Sequence, residues 1–284
     1  MAQQKLDPFS HVVDSDHFVF FDTADWVIHD VELFGIPMKF ILLMTVCAVS
    51  VGVAMIWLGY KMKDGDTPKG YIWNLLESLL FFVRNKIARP GIGEEEADKY
   101  LPLLLTFFLF IFAMDLMGLI PFLASPTASI MVTGALALVS FVVIHVSGVK
   151  DHGVNGYLRT FVPHIHLEGG VFMQAMGWMI MVGMAALEYV TAFIRAGVLA
   201  VRLFANMLAG HTVLFMILSF ITLVANPVYQ LPVAKDWMFW PVTIFSVMLV
   251  TALSLLELFI AGLQAFIFTF LTAVFIGLAK HPPH

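Results

Sequence analysis

Apolar residues run for membrane-scale lengths at five places along this chain. The first, residues 40–60 (FILLMTVCAVSVGVAMIWLGY), has about the 20 residues that a bilayer core of about 30 Å requires, and Lys61 and Lys63 close it. A second span is predicted over about 100–123, stopped by Pro121, Ser125 and Pro126, and a third over about 129–149. The last two apolar stretches, 171–225 and 240–279, are too long for upright spans. A straight helix of the former length extends roughly 80 Å at about 1.5 Å per residue, against that core of about 30 Å. It is predicted to be strongly tilted or broken in two. Asn226-Pro227 and Lys235-Asp236 mark a turn between the two stretches, which together read as a long, tilted helical hairpin.

Residues 71–89 carry a different pattern. Ile72, Leu75, Leu76, Leu79, Phe82, Val83 and Ile87 recur at helical spacing, with Asn74, Glu77, Ser78, Arg84 and Asn85 between them. This predicts an amphipathic helix lying in the membrane interface, ended by Arg89-Pro90-Gly91 and followed by an acidic loop from Glu94 to Asp98. Residues 150–170, with Asn155-Gly156 and Pro163, read as a polar connection. The expected fold is an all-α integral membrane protein of five inserted helical segments and one interfacial helix. Residues 1–39 form an external N-terminal segment and 40–280 a single membrane domain.

Composition agrees with this pattern. Of 284 residues, 60% are hydrophobic and 12% charged, where soluble domains carry about 25% charged residues. A net charge of −5 argues against a nucleic-acid partner; membrane lipid is the expected surroundings. The one cysteine, Cys47, lies inside an apolar run, so neither a disulfide framework nor redox chemistry is indicated. The N-terminus (MAQQKLDPFSHVVDSD) is acidic and without an apolar core, unlike a secretory signal or a transit peptide. A bacterial inner membrane is expected, with an organelle inner membrane the alternative for an organelle-encoded chain. In a five-span arrangement Lys61, Lys63, Lys69, Arg84, Lys86, Arg89, Lys99, Lys150, Arg159 and Lys280 share one side, and Lys5, Lys39 and Lys235 the other. The positive-inside rule then puts the N-terminus outside and the C-terminus in the cytoplasm.

The candidate chemistry lies in the two long stretches. An ionisable group in hydrocarbon costs roughly 2.5–3.5 kcal/mol on the mildest scale unless paired or wet, yet 171–225 carries Glu188, Arg195, Arg202 and His211. Glu188, Arg195 and Arg202 are spaced by seven, about 700° of helix, so they share nearly one face. Thr191 and Asn206 extend that seam. A buried pair that fixes packing would use neighbours four apart, and these are not. The final stretch has its own seam, Glu257 and Gln264, with Ala261 between them. A lone intramembrane glutamine usually makes an interhelical hydrogen bond of about 1 kcal/mol; a carboxylate needs a partner or water.

Depth orders these groups. In the antiparallel hairpin Glu188 lies on the cytoplasmic side of Arg202, and His211 lies external to it by about 13 Å along a helix. Glu257 is external to Gln264, so His211 and Glu257 are expected to meet on the outer side, where a wet His–Glu pair can relay protons near neutral pH. Arg202 stays charged and cannot pass a proton. The pattern is two half-channels with a cationic plug, and a proton crosses only on a moving carrier that offers a carboxylate.

AVRLFANMLAGH (200–211) and LQAFIFTFLTAVFI (263–276) resemble the two signature segments of subunit a of the rotary F-type ATP synthases. NLLESLLFFVRNKIARPGIG (74–93), LPLLLTFFLFIFAMDLMGLIP (101–121) and SPTASIMVTGALAL (125–138) agree as well, so the resemblance covers roughly residues 70–280. It implies a non-catalytic stator subunit whose half-channels serve the carboxylates of a c-subunit ring, with peripheral-stalk b subunits and the rest of the complex as further partners. By resemblance Arg202 is the essential arginine, Asn206, His211, Glu257 and Gln264 line the outer path, and Glu188 lies near the inner exit. Arg195 and Thr191 are secondary members. The His211/Glu257 pair looks like the mitochondrial arrangement, with acid and histidine exchanged relative to many bacterial members. Asp115 departs from the more usual asparagine and, near the outer end of its span, is placed where water can solvate it.

No cofactor is expected, and no phosphate-binding glycine loop appears, so nucleotide is handled by other subunits. His164 and His166 have a metal-like spacing but no third ligand, and read as a solvated cytoplasmic loop. His11, His17 and His29 read as surface residues, and His145 as packing at a span end. A proton-coupled secondary transporter would carry an internal repeat, and none is clear. A structural scaffold would tolerate apolar replacement of Arg202 or Glu257. A redox-driven pump subunit finds no haem-ligand pattern.

Overall fold

In a computed structural model the described residues are 17–20, 24–27, 32–33, 36–63, 70–120, 125–160, 171–225 and 236–280. The N-terminal segment contributes two short antiparallel pairings: β1 (His17–Phe20) with β2 (Ala24–Val27), and β3 (Glu32–Leu33) with β4 (Ile36–Pro37). Alternating aromatic and β-branched residues in HFVF and ADWV favour the extended chain. Everything described after β4 is helical or in turns: α1 (Met38–Lys63), α2 (Tyr71–Val83), α3 (Arg89–Ile92), α4 (Ala97–Gly118), α5 (Ile130–Thr160), α6 (Val171–Ala225) and α7 (Asp236–Lys280). Among the described residues, five helices are long and apolar enough to cross a membrane, over 41–63, 97–118, 130–154, 176–221 and 239–280. The chain is thus an all-α membrane protein, as its hydrophobic pattern predicts.

Helix ends depart from the sequence expectation in three places. The helix at 71 does not stop at Arg89-Pro90-Gly91: α2 passes through a π-helical turn, Arg84–Ala88, into α3, and ends at Ile92. A proline clashes with the carbonyl four residues back in regular α-helix. The wider π turn displaces that carbonyl, so Pro90 is accommodated. Asp98, expected in a loop, stands in the first turn of α4, where a carboxylate suits the positive helix end, and pairs with Arg84 at 2.6 Å. α5 is two helices joined at a kink: the first ends at Gly153 (φ 69°, ψ 163°), a conformation that suits glycine, and a short second one runs on to Thr160 inside the expected polar connection. Asn226-Pro227, Lys235 and the His164/His166 loop lie outside the described residues, as do His11 and His29. The long stretches each form one uninterrupted helix, 55 residues in α6 and 45 in α7, which removes the broken alternative.

The chain forms two compact units. One comprises Met1–Trp57, Leu109–Thr133 and Arg202–Ala265, and holds the outer candidate residues. In it Leu43, Cys47 and Val51 make a buried stripe along α1, and Cys47 Sγ lies 3.4 Å from Met117 Sδ.

The other unit comprises Leu58–Phe108, Gly134–Val201 and Phe266–His284. Val83, Ile87 and Ala88 are fully buried there, and Phe82 packs against Phe108 and Phe266. Ser140 and Thr272 share a buried hydroxyl hydrogen bond of 2.8 Å. Gly91 and Gly277 let two backbones touch: a Cβ on Gly277 would overlap the Gly91 carbonyl oxygen, and one on Gly91 would lie 2.8 Å from Ala273 Cβ. His145 packs between Phe141 and Tyr157, as its place near a span end predicts.

The end of α7 is fixed by Lys280. Its ammonium group donates to Glu96 and, at 2.8 Å, pairs with Asp151; it lies 5.2 Å from the centre of the Tyr100 ring. His152 Nε2 lies 2.9 Å from the Lys280 carbonyl oxygen. Only 3% of the lysine side chain is exposed, so removing its charge takes a buried cation from two carboxylates and leaves Glu96 with Lys99 alone among the described residues, at 3.5 Å. The hydrogen bond from Lys280 holds the Glu96 carboxyl below its ordinary value. The unfolded chain therefore takes up this proton first as pH falls, so the stabilisation is complete above about pH 4.3, the ordinary glutamate value, and is lost as pH drops through the lowered one. Lys280→Gln is expected to lose about 1–3 kcal/mol at neutral pH. Thermal unfolding in detergent against pH checks this: the gap between variant and wild type should close in acid.

Candidate functional site

The outer candidate residues gather where α6, α7, α4 and the 3-10 turn Pro126–Ala128 meet. Met207, Ala261 and Ala128 pack together there, each from a different element and each at most 9% exposed. Two small residues on α6 and α7 allow the close approach. Ala261 is fully buried, and a Cβ on Gly210 would sit 2.6 Å from Glu257 Oε1. Glycine at 210 therefore makes room for the carboxylate.

His211 and Glu257 come together as the antiparallel reading expects. His211 Nδ1 lies 3.7 Å from Glu257 Oε1, with both side chains largely buried. That separation exceeds a hydrogen bond and is of the kind that a single water bridges. Glu257 Oε1 and Oε2 and His211 Nε2 are buried without a hydrogen-bond partner among the described residues. Buried polar atoms are rarely left so. Three in one place call for hydrogen-bond partners that the described side chains do not supply. Gln264, one seam position further along α7, is buried at 6% exposure, and Asn206 is half-buried.

Asp115 corrects the expectation of a solvated carboxylate. It is fully buried, and Thr127 Oγ1 donates to its Oδ1 at 2.7 Å. Thr127 in turn shares a 2.7 Å hydrogen bond with Ser125 Oγ. One turn beyond Asp115, a Cβ on Gly118 would lie 2.6 Å from Ser125 Cβ, 2.7 Å from His211 Nε2 and 3.0 Å from Ser125 Oγ, so glycine lets both side chains close on α4. The Ser-Pro-Thr turn at 125–127 folds its hydroxyls back onto α4, which shields the aspartate from solvent. Thr127, Ser125, Gly118 and Gly210 were not singled out by the sequence. Two hydroxyls flanking a proline, just after a span containing an acid, are the signal that would have found the first two.

The other charged residues are not gathered in. Arg202 is exposed, and makes no hydrogen bond or ion pair to any described residue. Glu188, Thr191 and Arg195 are exposed as well. Thr191 turns its hydroxyl back to the Leu187 carbonyl at 2.7 Å, and the Arg195 guanidinium lies 5.4 Å from the centre of the Phe275 ring. Among the described residues the α6 seam is therefore exposed from Glu188 to Arg202 and half-buried at Asn206.

The fold and these residues can be set beside known proteins. Residues 41–277 match the family described as ATP synthase A chain. ATP synthase subunit a of Myxococcus xanthus (strain DK1622) is 40% identical over 229 residues, which cover 81% of this chain and 67% of that protein. ATP synthase subunit a of Chloroherpeton thalassium is 35% identical over 288 residues, 99% of this chain and 79% of the relative. That of Chlorobium phaeobacteroides (strain DSM 266) is 35% identical over 281 residues, 96% and 75% of the two. The relatives are bacterial, and the five apolar helices are those of a multi-pass plasma-membrane protein. A family match over most of the chain, with relatives this similar over most of its length, leaves one conclusion: the chain belongs to the ATP synthase subunit a family, proton-translocating membrane subunits of the ATP synthase complex.

Proposed function

We propose that this chain is the stator half of a rotary proton path, with two laterally offset half-channels that serve the carboxylates of a c-subunit ring and no catalytic step of its own. The observation that carries this reading is Arg202, a permanent cation exposed on an apolar helix with no hydrogen-bond or ion-pair partner among the described residues. Such a charge needs a counter-charge or water to offset a cost of several kcal/mol, and a ring carboxylate passing in front of it provides one. Protons reach the ring from outside through His211 and Glu257, with Asn206 and Gln264 along the way, and leave inward by way of Glu188. Arg195 and Thr191 continue the polar seam towards that exit. Arg202 separates the two paths because a guanidinium does not deprotonate. The N-terminus lies outside and the C-terminus in the cytoplasm, and peripheral-stalk b subunits hold the chain against the turning ring.

Cysteine cross-linking tests the docked face. Ala209 is exposed and lies seven residues after Arg202, on nearly the same face of α6. The native Cys47 is 1% exposed and stays silent. Ala209→Cys, paired with a cysteine on the outer helix of a ring subunit, should form a disulfide under oxidation and stop ATP-driven proton pumping. Met207→Cys, at a position 1% exposed, should not cross-link. If Ala209→Cys yields no ring adduct in the assembled complex, this face does not meet the ring and the reading falls.

A further inference from the structure

The buried acid on α4 points to a proton-carrying role, an inference that rests on the outer path proposed above and extends it. We propose that Asp115 is an additional proton-holding group of that path, joined to it by the Thr127 and Ser125 hydroxyls through the notch at Gly118.

The hydrogen bonds set the direction. Thr127 has one hydroxyl proton, and it is given to Asp115 Oδ1. The bond between Thr127 and Ser125 must then run from Ser125 to the Thr127 oxygen. Both hydroxyls thus point toward an ionised Asp115, a wire poised to deliver protons to it. A proton arriving on the Ser125 oxygen from the His211 side releases the proton Ser125 already holds to Thr127. Thr127 releases its own to Asp115, and the carboxylate becomes a carboxylic acid. The incoming proton leaves its donor, a hydronium ion or a protonated His211, so three bonds to hydrogen break and three form, and charge moves by one unit from that donor to Asp115. The reverse shift, after both hydroxyls reorient, returns it.

The ends of this wire are the unpartnered atoms. Asp115 Oδ2 is buried without a hydrogen-bond partner among the described residues, and so is His211 Nε2 at the other end. Ser125 Oγ and His211 Nε2 both lie within 3.0 Å of the position a Gly118 side chain would take. That notch is polar on two sides. Glycine at 118 lets Ser125 and His211 crowd the same point, 3.0 Å from Ser125 Oγ and 2.7 Å from His211 Nε2, so the two atoms are close enough for one water beside them to connect Ser125 to His211. A purely packing role does not explain the orphaned Oδ2.

The test is passive proton flux through the membrane sector in vesicles stripped of the catalytic head, with subunit content checked by immunoblot. Asp115→Asn keeps the volume and an acceptor for Thr127 but cannot take up the proton. Flux is expected to fall about tenfold, less than the roughly hundredfold or more that positioned acids and bases contribute, because His211 and Glu257 retain a route of their own. Asp115→Glu should recover flux relative to Asp115→Asn. Thr127 separates relay from packing. Thr127→Val keeps the shape and removes the hydroxyl, whereas Thr127→Ser keeps the hydroxyl and removes the methyl. The wire requires Thr127→Ser to conduct better than Thr127→Val, and packing requires the opposite. Wild-type flux in Asp115→Asn, or Thr127→Val at or above Thr127→Ser, overturns the proposal. Glu257→Gln alongside keeps the two readings apart. If it blocks flux while Asp115→Asn does not, only the role of Asp115 falls. If Glu257→Gln conducts normally, the outer path itself is misplaced.

Discussion

Arg202→Ala should abolish ATP-driven proton pumping while the complex still assembles. The guanidinium is exposed and has no hydrogen bond or ion pair among the described residues, so truncation removes none of these and leaves a good helix former in place. It removes the counter-charge that, on the proposed mechanism, a passing ring carboxylate meets. Stranding one member of a desolvated ion pair costs about 3–5 kcal/mol, which corresponds to between roughly a hundredfold and several thousandfold in an equilibrium. A ring carboxylate without this partner stays protonated and passes the barrier position as a neutral acid. Coupled pumping is then lost and passive leak rises. Arg202→Lys should recover little, because a desolvated ammonium gives up its proton far more readily than a guanidinium. Inverted vesicles carrying the complex, with a fluorescent pH dye inside, report both quantities. Normal pumping by Arg202→Ala would return this arginine to a packing role and remove the plug from the mechanism.

Gly277→Ala should prevent stable accumulation of the subunit. A Cβ there would overlap the Gly91 carbonyl oxygen and lie 3.2 Å from its carbon and 3.3 Å from Ile92 Cα. All three are backbone atoms, held by the turn where α3 ends, so no side chain can swing aside. Overpacking ordinarily costs about 1–3 kcal/mol, occasionally more. With backbone on the receiving side, about 3 kcal/mol or more is expected here. Small residues at such contacts matter more in lipid, where helices associate by close packing rather than by exclusion of water. Gly52→Ala in α1 is the comparison. Nothing lies within 4 Å of its added Cβ, and alanine within a helix is favoured over glycine by about 0.5–1 kcal/mol. Subunit level in the membrane and the unfolding midpoint in detergent should separate the two. A Gly277→Ala protein as abundant and stable as Gly52→Ala would refute the clash.

The large features were legible because hydrocarbon admits so few backbone solutions. An apolar run of 55 residues can satisfy its peptide groups only by hydrogen-bonding along itself, so α6 could be read with both ends correct. The meeting of His211 with Glu257 followed from two antiparallel helices and a count of residues. What escaped was local or depended on a third element. The π turn before Pro90 is a small backbone adjustment with no composition of its own. The short helix after Gly153 escaped because it starts within a polar stretch, behind one residue in an unusual conformation. The state of Asp115 could not be read from α4, because its environment is supplied by Thr127, on a turn twelve residues away. A carboxylate near a span end reads as wet until the segment that covers it is placed. The outward direction of Arg202 was half legible: its face could be assigned from spacing, but which side of α6 the chain itself would cover could not.

The unbroken length of α6 has a geometric consequence. Its apolar window of 46 residues measures about 69 Å, and hydrocarbon is only about 30 Å deep. A rod of that length kept within that depth travels about 60 Å sideways while it descends about 30 Å. Along such a ramp each step in sequence is more a displacement in the membrane plane than a change of depth. Two openings carried by one ramp, one near each surface, cannot stand above each other. Whatever ferries a proton from one to the other must travel in the plane, along an arc, and a body that does this repeatedly must rotate. On the proposed mechanism, the lateral offset of the two half-channels then follows from the length of this helix against the depth of the membrane.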